Sequence, residues 1–182
     1  MHGPKLYEGK KKRKSYLHVI IDDCTRYVVS ARFYSTESTQ SLIIELMIAI
    51  RRHGIPYRLY TDSGSAYNSR HLKIVCANLS MRQPHTPAGR PQGRSKVERF
   101  FRTVRDQFLS KQRYKTFDEI NTAFIDYLND YHHRIHSTLK CSPMQKRLGS
   151  TAFANPCPKS PISNRCFGSG VVVAFTTTVR FV

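Results

Sequence analysis

Two carboxylates in this chain are candidate ligands for a divalent ion, should the fold bring them together. Asp62 ends the apolar alternation of "IPYRLYTD", and Glu98 lies in "GRSKVERFFRTVRDQF", 36 positions on with 35 residues between them. Carboxylates among Lys and Arg suit a hard cation such as Mg²⁺, which takes oxygen ligands and often shares them with phosphate. Two such ions roughly 3.5–4 Å apart clamp the attacking and leaving oxygens of an in-line phosphoryl transfer. Plainer roles compete at both positions. An Asp before Ser-Gly commonly forms a turn, and Ser95-Lys96-Val97-Glu98 has the capping-box pattern that starts a helix.

Other chemistries find less support. His132, His133 and His136 include an i, i+4 pair, yet no Glu follows the first histidine as a HExxH zinc enzyme requires, so a polar helix end is the better account. The chain has neither a GxSxG elbow nor a GxxxxGK[ST] phosphate loop. Five cysteines, an odd number with no CxxC pair, indicate neither a disulfide framework nor a zinc ribbon, and fit a reducing compartment.

The two acids need elements to hold them. "YLHVII" and "RYVVSARFY" flank "DDCT" as the strands of a hairpin. Residues 37–53 space Leu42, Ile43, Leu46, Met47 and Ile50 as a helix that is apolar on more than one side, stopped by Gly54 and Pro56. A short strand over "IPYRLYTD", a helix from about Ser69 to Leu79 and a brief strand in "MRQPHT" form a parallel βαβ step. "PAGRPQG" is a loop. Val97, Phe100, Phe101, Val104 and Phe108 then recur at i, i+3, i+4, i+7 and i+11, which predicts an amphipathic helix with its bases on the other side. Thr116 to Glu119 opens another helix, with inner residues Phe117, Ile120, Phe124, Leu128 and Tyr131, ending near His136.

Charge points to the partner. Thirty Lys and Arg against twelve Asp and Glu leave +18 in 182 residues, and bases that neutralise phosphates release condensed counterions. Nucleic acid is therefore the expected partner. Two clusters stand out, residues 5–14 and residues 90–115, the second with Arg90, Arg94, Lys96, Arg99 and Arg102 around Glu98. No apolar run approaches the roughly 20 residues that span a bilayer, so no membrane partner is expected.

"YTDSGSAYNS", "PAGRPQGRSKVERFFRTVRDQF" and "YHHRIHSTLKCSP" together resemble the catalytic core of DDE-type transposases and retroviral-like integrases, with D(35)E spacing, from about Tyr16 to Leu148. The resemblance implies an α/β, RNase H-like fold: a mixed five-stranded sheet flanked by helices, its first strand incomplete, with a short irregular or β tail. It assigns Asp62 and Glu98 to the second and third carboxylates of a site for Mg²⁺ or Mn²⁺ that supports DNA nicking and strand transfer. It also puts Arg90, Arg94, Lys96, Arg99 and Arg102 near the DNA backbone. Residues 1–148 would be the catalytic core, and 149–182 a linker with a possible remnant of a C-terminal β-barrel.

The family's first carboxylate, usually preceded by a Trp, would fall just upstream of Met1, and the chain has no Trp. Asp22 and Asp23 lie in the hairpin turn, where Asp serves local backbone bonds. A core compromised in catalysis is the expectation. The alternatives are a catalytically dead DNA-binding remnant that modulates an intact transposase, and a nuclease that hydrolyses without transfer. The resemblance further implies a homo-oligomer, or a mixed oligomer with an intact transposase, in bacterial cytoplasm and on the nucleoid when DNA is bound.

Overall fold

β2, Lys11–Asp22, is the strand around which the sheet is built, and its alternation shows why. Leu17, Val19 and Ile21 are buried on one face while Ile20 is buried on the other, so both sides need cover. The computed structural model describes residues 1–61, 69–82, 92–111, 113–151 and 171–175.

β1, His2–Glu8, pairs antiparallel with the first half of β2 through a turn at Gly9, whose φ of 61° suits glycine. β3, Val28–Tyr34, pairs antiparallel along the other edge of β2. Tyr16 faces both His2 and Tyr34, whereas Ile20 faces both Ser30 and Ala174. The strand containing Ala174, β5 (Val171–Phe175), therefore shares an edge of β2 with β1. β4, Arg58–Thr61, lies beyond β5 and parallel to it. The result is a mixed five-stranded sheet, as expected in number and kind, but with one strand supplied by the tail.

Helices cover both faces. α1 (Thr39–His53) and α2 (Arg70–Asn78) bury Leu42, Leu46, Leu72 and Cys76 against Ile20, Val29 and Leu59. Ser38 caps α1 by accepting the Ser41 amide at 3.1 Å, and Gly54, at φ 88°, closes it. Only one side of α1 is buried, since Ile44 and Met47 are 45% and 38% exposed. On the other face lie α3 (Gln92–Val104), a π-helical turn (Arg105–Leu109) and α4 (Phe117–His133). Their stripe of Val97, Phe100, Phe101, Val104, Phe108, Ile120 and Phe124 packs on Leu17, Val19 and Phe33. α4 starts with the expected capping box of Thr116 and Glu119.

The expected βαβ step is shorter than the sequence suggests, for "MRQPHT" contributes only the bridge of Arg82 to Arg58 within the described residues. α5, Pro143–Thr151, crosses the boundary expected at residue 148, and the tail's Val171–Phe175 forms a strand of the main sheet.

Candidate functional site

β4 ends at Thr61, one residue before Asp62, and Asp62 lies outside the described residues. Glu98 is described. It stands exposed between buried Val97 and buried Phe100, Phe101 on α3. Because α3 begins at Gln92, Ser95 is inside the helix and Glu98 is beyond the first turn. The capping-box role that competed for Glu98 is thereby removed, and its carboxylate is left on a solvent-facing surface.

The bases of α3 do not share one face. With 100° per residue, Arg102 falls on the Glu98 side, four positions on, while Lys96, Arg99, Thr103 and Gln107 gather on another. Surface clefts follow this division: Arg102 lies with Arg105, His2 and Pro4, whereas Lys96 and Arg99 lie with Arg26, Arg134 and Thr138. Arg94 is within α3, and Arg90 lies outside the described residues.

Asp22 makes the expected local backbone bond, whereas Asp23 is held by ion pairs. Asp22, at the end of β2, accepts the Cys24 amide at 3.0 Å and faces Arg147 at 3.7 Å. Asp23 pairs with Lys96 at 2.7 Å and with Arg26 at 3.7 Å. Lys96 is thus already engaged by an acid. Among the described residues, no three His, Cys, Asp or Glu side chains form a group able to hold a metal ion. The carboxyl oxygens of Asp62 and Glu98 are the donor type that Mg²⁺ or Mn²⁺ takes.

The histidines serve the fold. His132 is buried, its Nε2 accepts the Val28 amide, and its ring stacks on Tyr27 with centroids 3.9 Å apart. His133 Nδ1 lies 2.7 Å from the Asn129 carbonyl. Cys24, Cys76 and Cys141 are free thiols. No helix among the described residues is long and apolar enough to cross a membrane.

Reading by motif missed Arg26 and Arg134, which join Arg99 in one cleft from three elements. The available signal was the base closing "DDCTR" and the one inside "YHHRIH".

Two family models described as integrase core domain match residues 4–91 and 79–143. The transposase for transposon Tn552 of Staphylococcus aureus is 29% identical over an alignment 164 positions long, which covers 78% of this chain and 34% of that protein. A Gag-Pro-Pol polyprotein of sheep pulmonary adenomatosis virus is 31% identical over 101 residues, 56% of this chain and 6% of the polyprotein. The chain thus spans about a third of the one relative and a small part of the other. Among solved structures, the HTLV-2 integrase catalytic core domain in complex with magnesium, in its trimeric form, is similar. It has a TM-score of 0.59 and 21% identity, and the match covers 80% of this chain and 89% of that one.

Proposed function

The chain belongs to the integrase core domain family and has the RNase H-like fold, and from that premise we propose that it acts on DNA phosphodiesters in transposition or integration. Glu98 carries the proposal. It is an exposed carboxylate on a helix anchored by buried aromatics, with Arg102 on the same face. Asp62 and Glu98 are assigned as ligands of Mg²⁺ or Mn²⁺, the former being the ion in the HTLV-2 core. A bound divalent ion would polarise the phosphodiester and activate the attacking oxygen. The packing of Val97, Phe100 and Phe101 fixes where Glu98 points. Arg90, Arg94 and Arg102 are assigned to the DNA backbone near that site, and Lys96 and Arg99 to backbone on another side of α3.

Residues 1–148 are assigned as the catalytic unit, to whose sheet β5 of the 149–182 tail contributes a strand. The trimeric HTLV-2 core supports a homo-oligomer. The bacterial Tn552 relative supports a bacterial cytoplasmic location, on the nucleoid when DNA is bound.

A second reading, a DNA-binding remnant without catalysis that pairs with an intact transposase, is favoured by one observation. Asp22 and Asp23, the acids near the β2 end of the sheet, are held by Cys24, Arg147 and Lys96 and are not free to complete a triad. Incubation of the chain with supercoiled plasmid and Mn²⁺ separates the two. Nicking that Glu98→Gln abolishes supports the catalytic reading; binding without nicking supports the remnant and counts against catalysis.

A further inference from the structure

We infer that the cleft between α3 and the α4–α5 connection is a phosphate-binding pocket that takes a nucleic-acid phosphodiester, apart from the Glu98 face. The cavity measures about 440 Å³, and Arg26, Lys96, Arg99 and Arg134 all line it. They come from the β2–β3 turn, from α3 and from the residue after α4. No carboxylate is among the described residues lining it, while Thr103, Gln107, Ser137 and Thr138 supply polar atoms. Four permanent cations around one hollow repel each other unless an anion occupies it.

Nearby acids offset only part of this charge. Asp23 engages Lys96 and, at 3.7 Å, Arg26, and Asp130 pairs with Arg134. Arg99 donates to the neutral Thr138 hydroxyl at 3.0 Å, and Arg134 also donates to Gln107 at 2.8 Å. These bonds hold the guanidinium forks in place, and such forks bind phosphate oxygens in pairs.

Arg26 adds a separate observation. It has a φ of 62°, a conformation that glycine or asparagine adopts more readily. Its side chain is 16% exposed, and its Nη1 is buried without a hydrogen-bond partner. That Nη1 faces Asp23 at 3.7 Å without a hydrogen bond, so on a strained backbone it keeps a donor for an anion in the cleft. His136, in the same cleft, has its pKa lowered by burial first and then by Arg26 and Arg99, so these two charges converge there.

The anion site stands on this geometry; the identity of its ligand rests on the proposed DNA-handling role. The test uses the full chain, R99Q/R134Q, and K10Q/K11Q as a control of equal charge change on the exposed β1–β2 turn, with folding checked by circular dichroism. Inorganic phosphate is expected to raise the melting temperature of the wild type and of K10Q/K11Q but not of R99Q/R134Q. A labelled DNA duplex of about twenty base pairs is expected to bind R99Q/R134Q roughly ten-fold more weakly, with a salt slope shallower by about two units, and to bind K10Q/K11Q with a smaller loss. Should R99Q/R134Q fail to fold, R99Q, which gives up only the Thr138 bond, and R26G, which relaxes the turn, take its place. Equal losses in the pocket and control variants would overturn the pocket. A phosphate response with unaltered duplex binding would overturn the nucleic-acid ligand. Loss of nicking activity in the wild type with this binding pattern intact would sink the catalytic reading alone.

Discussion

The Val28 amide donates to Nε2 of His132 at 3.1 Å, tying the first residue of β3 to the last turn of α4 across 104 positions. Only a neutral imidazole accepts that bond, so the contact depends on pH. Burial foremost, then the charge of His133, lowers the His132 pKa to about 4 from its usual 6.5. Burial does the same to His18 and, with Arg147, to His53, both to about 4. Unfolded histidines take up protons first as pH falls, so this stability is complete above pH 6.5 and is lost between 6.5 and 4. The melting temperature should fall over that window. His132→Gln, which keeps an acceptor and removes a titrating ring, should flatten the profile; an unchanged profile would contradict the assignment.

Glu45 links α1 to β3. Its buried carboxylate accepts the Ser30 hydroxyl and, at 2.6 Å, the Tyr34 hydroxyl. Burial first, then the bond to Glu45, raises the Tyr34 pKa. Glu45→Ala strands both hydroxyls and should lower unfolding free energy by about 1–3 kcal/mol. Urea unfolding measures this, and a loss within error would rule out the network.

Val173 faces Ile21 on one side and Tyr60 on the other. Val173→Pro removes an amide from the ladder. Amide exchange at Ile21 and Tyr60 should accelerate, and the melting temperature should drop. Full protection at both amides in the variant would show that β5 does not hold β4 in the sheet.

The proposed metal ligands predict a response to ions. Millimolar Mg²⁺ or Mn²⁺ should raise the melting temperature of the wild type, and Asp62→Asn or Glu98→Gln should abolish the rise. Equal shifts in all three proteins would count against the two carboxylates as ligands.

Local pattern made much of this fold legible. Val97, Phe100, Phe101, Val104 and Phe108 are all buried as their spacing predicts, and Thr116 and Glu119 form the expected capping box. The π-helical turn at Arg105–Leu109 was hidden, because one altered turn barely disturbs a stripe that keeps Phe108 inward. The β1–β2 hairpin was masked by Lys10 to Lys14, exposed bases that read as a charge run although Gly9 marks the turn. Partners distant in sequence were the least legible. Nothing near Val28 announces His132, nothing near Arg26 announces Arg134, and "VVVAF" reads as a strand without naming β2 and β4 as its neighbours.

The backbones of β5 and β1 run head to tail. Phe175 is opposite Val19, while Met1 and Leu17 exchange two backbone bonds, of 3.1 and 2.7 Å, two steps further along β2. β5 thus extends the line of β1, and one edge of β2 is satisfied by two segments from distant parts of the sequence.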